Sequence, residues 1–190
     1  MPSSAIRRKS FQTKAPMKRI GPTATGLSKV AISKLAETVA TDLGYLRHKD
    51  IRKTVDEIGG DVEVVDYWLQ SNQAGSLKVQ GESDFCIYVP AHTTLERDNF
   101  TIAHELGHYV LHYLYFDLHR EKGQIFEATR YGSGREEWEA NWFAASFLMP
   151  DRVFRASFKS TNGQIDPLAR KFKVSRAAVW VRAQSLELNG

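Results

Sequence analysis

The chain reads as an α+β protein: two N-terminal helices, a small three-stranded sheet, a helix pair and a C-terminal helical segment. Three observations predict this class. Apolar residues recur at helical spacing near the start, at Ile32, Leu35, Ala36, Val39, Ala40 and Leu43. Three strand-like runs then follow one another between turn residues. Helical periodicity returns at Asp98 and holds to the end. Helices, then strands, then helices again segregate the two kinds of element, which is the α+β arrangement.

Each element has a local reason. Residues 1–26 read as a disordered basic tail, because Pro2, Pro16 and Pro22 interrupt any helix there. Ser28 is a good cap for the first helix, and Gly44 stops it. Asp50 caps a second helix carrying Ile51, Val55 and Ile58, which ends at Gly59-Gly60. The strands are Val62–Leu69, Gly75–Gln80 and Phe85–Val89, closed by Pro90. A long helix then spans roughly Asp98 to Leu118, and another Arg135 to Leu148, stopped at Met149-Pro150. Residues 119–134 form a long connection between them, and loops of that length are often functional. Residues 27–150 thus form the main domain, and 151–190 a C-terminal helical segment.

Composition narrows the class further. The chain has 190 residues, 42% hydrophobic and 25% charged, enough for a folded domain with a real core. Its net charge of +4 suggests nucleic acid, but the charge is unevenly distributed. Residues 1–22 carry +6, residues 23–150 carry −7 and residues 151–190 carry +5. The middle is acidic and the ends are basic. One cysteine, Cys86, excludes an internal disulfide and fits a reducing compartment such as the cytoplasm. No apolar run reaches the ~18 residues a membrane helix needs.

The chemistry concentrates in His104-Glu105-Leu106-Gly107-His108. Histidines four apart on a helix project from one face, with ~6 Å of rise between them. Two neutral imidazoles at that separation can share one Zn²⁺, and Glu105 between them can take a proton from an attacking water. A catalytic zinc needs a third protein ligand. His112, another four residues on, cannot easily close a tetrahedron from the same helix, and reads as a packed or supporting group. Glu136, Glu137 and Glu139 on the next helix are the better candidates. Glu137 shares a face with Asn141, which could fix a ligand imidazole from behind. Glu139 lies on another side of that helix. Gly107 would let a second backbone approach the metal helix closely.

The stretch from Arg97 to His112, with His104-Glu105-Leu106-Gly107-His108 at its centre, resembles the core motif of the ImmA/IrrE family of zinc metallo-endopeptidases. So does Glu137-Trp138-Glu139-Ala140-Asn141-Trp142-Phe143-Ala144-Ala145, followed by Phe147-Leu148-Met149-Pro150. The resemblance runs from about Leu43 to Leu188. It implies a gluzincin-like site: zinc on His104, His108 and Glu137, Asn141 behind a ligand, and Glu105 as general base. Glu139, also common in the family's motif, is the alternative ligand. It further implies a cytoplasmic protease whose protein substrate is a helix-turn-helix repressor or an antitoxin encoded nearby. Some family members look like toxin components of toxin–antitoxin pairs.

Three points stay open on the residues alone. Tyr109, His112, Tyr113 and Tyr131 are candidate oxyanion donors. Phe85–Val89 or Gly75–Gln80 could be an edge strand that pairs with extended substrate. Leu168 to Val179 reads like a helix-turn-helix fragment capped by Ser175, with Arg176 and Arg182 toward an exposed face. Partner recognition or packing is the first reading of that segment and direct DNA binding the second. The whole-protein alternative is accordingly a zinc-containing DNA-binding regulator, or a toxin component that does not act by proteolysis.

Overall fold

A computed structural model describes residues 17–66, 75–117, 124–129 and 133–188. The elements are β1 (Lys18–Ile20), α1 (Lys29–Asp42), α2 (Tyr45–His48), α3 (Ile51–Glu57), β2 (Gly60–Val65), β3 (Gly75–Gly81) and β4 (Asp84–Pro90). Then come α4 (Leu95–His108), β5 (Gln124–Thr129), α5 (Arg135–Leu148), α6 (Asp151–Ser160), α7 (Ile165–Phe172) and α8 (Arg176–Ser185). The α+β class holds, with the sheet larger than three strands.

The caps explain the helix starts. Ser28 accepts from the Ala31 N–H, and Asp50 from the N–H groups of Arg52 and Lys53. Helix α4 starts before Asp98, because the Thr94 hydroxyl accepts from the Arg97 N–H. Asp98 instead sits inside the first turn and accepts from Arg52 at 3.0 Å. After His108 the helix widens: Tyr109–Leu114 is π-helical, and the Tyr115 N–H reaches back five residues to the Val110 carbonyl. Such widened turns recur at functional sites.

The sheet has five strands in the order β1-β5-β3-β4-β2. Strand β3 is antiparallel to both β4 and β5, while β1–β5 and β2–β4 are parallel pairs. Two expectations change here. The tail reading of residues 1–26 fails at its end: residues 18–20 pair with 124–126, and Arg19 bonds Glu127 at 3.1 Å. Pro22 follows that strand rather than forbidding it. Residues 1–16 lie outside the described residues. The second change is β5, inside what reads as a connection, where buried Phe126 and Ala128 alternate with Glu127. The edge-strand expectation is also overturned, since β3 and β4 each have a neighbour on both sides.

Helix α4 lies against β3 and β4, α5 against α4, and α1 against α5. Gly107 is the contact point of α4 and α5: a Cβ there would meet Ala140 Cα, Ala140 O and Phe143 Cβ, each at 3.2 Å. The glycine expectation is met for that physical reason. The core fills around Phe126, Phe143, Phe147, Leu106 and Ile102, all fully buried. Among the described residues, no helix is long and apolar enough to cross a membrane.

Helices α6 to α8 close one end. A short turn through Lys173, Val174 and Ser175 joins α7 to α8, and its Lys173 carbonyl accepts from Asn99 of α4 at 2.9 Å. Arg182 does not lie on an exposed face as expected. It is 3% exposed and donates to Met149 O at 2.9 Å and Ser146 Oγ at 3.2 Å.

Candidate metal centre

Helices α4 and α5 bring His104, His108 and Glu137 together. His104 Nε2 and His108 Nε2 are 3.1 Å apart. Glu137 Oε2 is 3.2 Å from His104 Nε2, and its Oε1 is 3.4 Å from His108 Nε2. The His–His separation is close to the edge, about 3.3 Å, of a tetrahedron around an ion with ligand bonds of about 2.0–2.1 Å, and Glu137 sets one carboxylate oxygen against each imidazole. The donor set also fits a metal, since two imidazole nitrogens and a carboxylate face one point. Two imidazoles favour a transition-series ion or Zn²⁺ over a hard cation.

The electrostatics agree with a site of concentrated negative charge. Hydrogen bonds to His104 and His108 hold the Glu137 carboxyl well below the usual carboxylate range. Burial alone would lower the His104 pKa, but the bond to Glu137 and the charges of Glu105 and Glu137 raise it. Burial pushes the Glu105 carboxyl up, against the pull of His104 and His108. Glu105 is 4% exposed, and its Oε2 has no hydrogen-bond partner among the described residues. A buried carboxylate oxygen without a partner is costly unless something else faces it.

Each histidine is fixed from behind. His104 Nδ1 donates to Asn141 Oδ1 at 3.1 Å, which leaves Nε2 free for the cluster. His108 Nδ1 lies 2.9 Å from His112 Nδ1, and His112 Nε2 lies 3.3 Å from Glu139 Oε2. His112 therefore supports His108 and stays out of the cluster, as its position in line with the other two anticipates. Burial and the adjacent His108 lower its pKa to about 4. Burial would raise the Glu139 pKa, but hydrogen bonds from Thr25, His112 and Arg135 lower it. Glu136 is not part of the cluster.

A cavity of about 250 Å³ opens beside the cluster, lined by Ser76, Tyr88, Phe100, Thr101, Glu105 and Asn141 among others. Of the expected oxyanion donors, Tyr109 is 3% exposed, gives its hydroxyl to Glu82 O and stacks on Phe85. Tyr113 is packed against Tyr109 and Phe126. Tyr131 lies outside the described residues. The hydroxyl-bearing residues that do line the cavity are Tyr88, Ser76 and Thr101; Tyr88 also bonds Cys86, and Ser76 bonds Glu105. Strand alternation carries the signal for Tyr88: Phe85, Ile87 and Val89 point into the core, so Tyr88 points away from it. A larger cavity of about 600 Å³ runs between α4, α5 and α8, walled by Trp138, Trp142 and Val181, and shares Phe100, Thr101 and Asn141 with the first.

Residues 68–184 match the Peptidase_M78 family, described as the IrrE N-terminal-like domain. A Mycobacterium tuberculosis transcriptional regulator of solved structure is similar over 82% of this chain and 46% of its own, at 21% identity and a TM-score of 0.55. The chain thus spans less than half of that protein, and the likeness concerns the fold. No curated protein matches the chain significantly.

Proposed function

The chain belongs to the Peptidase_M78 family, and from that premise we propose that it is a cytoplasmic zinc-dependent endopeptidase that cuts a regulatory protein. The substrate class we propose is a helix-turn-helix repressor or an antitoxin. The carrying observation is the cluster of His104, His108 and Glu137 beside buried Glu105, with a cavity that all of them but His108 line. His104, His108 and Glu137 would hold the zinc, with Asn141 fixing His104. Bound there, Zn²⁺ would polarise the scissile carbonyl and make the attacking water acidic.

The protein's own groups do the rest. Glu105 accepts the proton of the attacking water on a carboxylate oxygen and returns it to the departing amine. Its burial raises its proton affinity, which suits a group that must hold the proton between the two steps. Tyr88 is the residue we assign to donate to the developing oxyanion, because it lines the same cavity as Glu105 and His104; its hydroxyl would turn from Cys86 to do so. Gly107 lets α4 pack directly on the Ala140 backbone of α5, so the two halves of the site meet in direct helix contact.

The reading of the C-terminal segment as part of the protease rests on Arg182 being buried. Arg176, the other basic residue of α8, is paired with Asp166 at 3.1 Å. Helix α8 instead exposes Trp180 and Val181, a surface better suited to protein than to phosphate.

Sequencing new protein N-termini in cells that express wild type or Glu105→Gln tests the proposal. The expected result is a cut in a DNA-binding regulator that appears with wild type alone. Identical sets of termini in the two cultures would overturn proteolysis.

A further inference from the structure

We propose that His112 and Glu139 are positioning residues for the metal centre, and that Thr25 and Gly26 of the N-terminal segment are their outer anchor. This rests on the reading of His108 as a ligand.

The hydrogen positions follow from the contacts. His108 turns Nε2 to His104 and Glu137, so its Nδ1 carries the proton. That proton goes to His112 Nδ1, 2.9 Å away. His112 must accept there, so its own proton sits on Nε2 and points at Glu139 Oε2, 3.3 Å away. Every group in the row has one consistent role: imidazole donor, imidazole acceptor and donor, carboxylate acceptor. Both His112 and Glu139 are fully buried, so water does not replace any link.

Glu139 is held by donors from the far end of the chain. Its Oε2 also accepts from Thr25 N–H at 2.7 Å and Thr25 Oγ1 at 2.8 Å. Its Oε1 accepts from Gly26 N–H at 3.0 Å and Arg135 Nε at 3.0 Å. Five donors exceed the roughly four lone-pair sites a carboxylate offers, so none remains for a metal. Glu139 is thereby an anchor, fixed in place and charge, and it fixes the tilt of His112. His112 in turn fixes the plane of the His108 ring. The outer anchor at residues 25–26 lies well before the family match, which begins at residue 68.

Groups that orient a metal-binding imidazole typically change metal affinity about 10–100-fold when removed. The test is the zinc dissociation constant of the full chain, measured by chelator competition. His112→Phe keeps the ring volume and is expected to weaken binding within that range. Thr25→Val removes only a hydroxyl and is expected to fall near its lower end, about tenfold. Thr25→Ser keeps the hydroxyl and is expected to bind zinc as wild type does. Equal unfolding of the metal-free Thr25→Val and Thr25→Ser proteins separates positioning from general loss of fold. The cobalt-loaded protein supplies a second readout: the His108 imidazole N–H, buried against His112 and slow to exchange in wild type, is expected to exchange faster in His112→Phe. Wild-type zinc affinity in both His112→Phe and Thr25→Val would overturn this proposal while leaving the metal centre standing. A wild-type protein that binds no zinc would overturn both.

Discussion

Helices α4 and α5 each contribute twice to the interior, and the two contributions meet opposite fates. At the front, His104, His108 and Glu137 face one another with few other partners and a cavity beside them. At the back, two to four residues further along the same helices, His112 and Glu139 face one another with every polar atom satisfied. The chemical groups are the same. What differs is the supply of donors: the back receives Thr25, Gly26 and Arg135, and among the described residues no such donor reaches Glu137. A histidine–glutamate pair becomes a candidate metal site where the protein withholds hydrogen bonds, and a structural post where it supplies them.

The comparison breaks most sharply if the front and back glutamates are exchanged in role. Glu137→Ala is expected to abolish stoichiometric zinc while the metal-free protein unfolds at nearly the wild-type temperature, as read by metal analysis and calorimetry. Stoichiometric zinc in that variant would show that the front is not the site. Next in size, Glu105→Gln is expected to retain zinc and lose about 10²–10⁴-fold in the rate of substrate cleavage, the range for a positioned acid–base group. Glu139→Ala leaves a buried histidine and two backbone N–H groups without their acceptor. It is expected to cost about 1–3 kcal/mol or more, the range for a buried donor left unpaired, seen as a lower denaturant midpoint of the metal-free protein. A neutral result would mean the back is not the post described. Smallest, Gly107→Ala presses a methyl onto the Ala140 backbone and is expected to cost about 1–3 kcal/mol by the same measurement.

Much of the front was legible in the sequence, and little of the back. His104, Glu105 and His108 are local: four-residue spacing on one helix decides which face they share. Glu137 and Asn141 follow by the same spacing on the next helix. Glu139 could not be assigned that way, because the groups that saturate it are 113 and 114 residues earlier. The fold divides likewise. The helices carry their own caps and periodicity, so α1, α3 and α5 sit close to their expected bounds. Strands β1 and β5 lack such signals. A three-residue strand exists only because a partner lies beside it, and its prolines and positive charges resemble a tail until Glu127 is placed next to Arg19. Of the expected oxyanion donors, Tyr109 and Tyr113 are packed into the core, while Tyr88 lines the cavity from a strand.

The contact between Thr25 and Glu139 joins residues 114 apart. Synthesis therefore makes the anchor early and its partner late. A nascent chain holding α4 has both histidines of the motif but neither Glu137 nor the carboxylate that steadies His112. Closing so long a loop costs entropy that only the finished contact repays. The order of the residues sets the order of assembly: the cluster of His104, His108 and Glu137 can form only once helix α5 has been made.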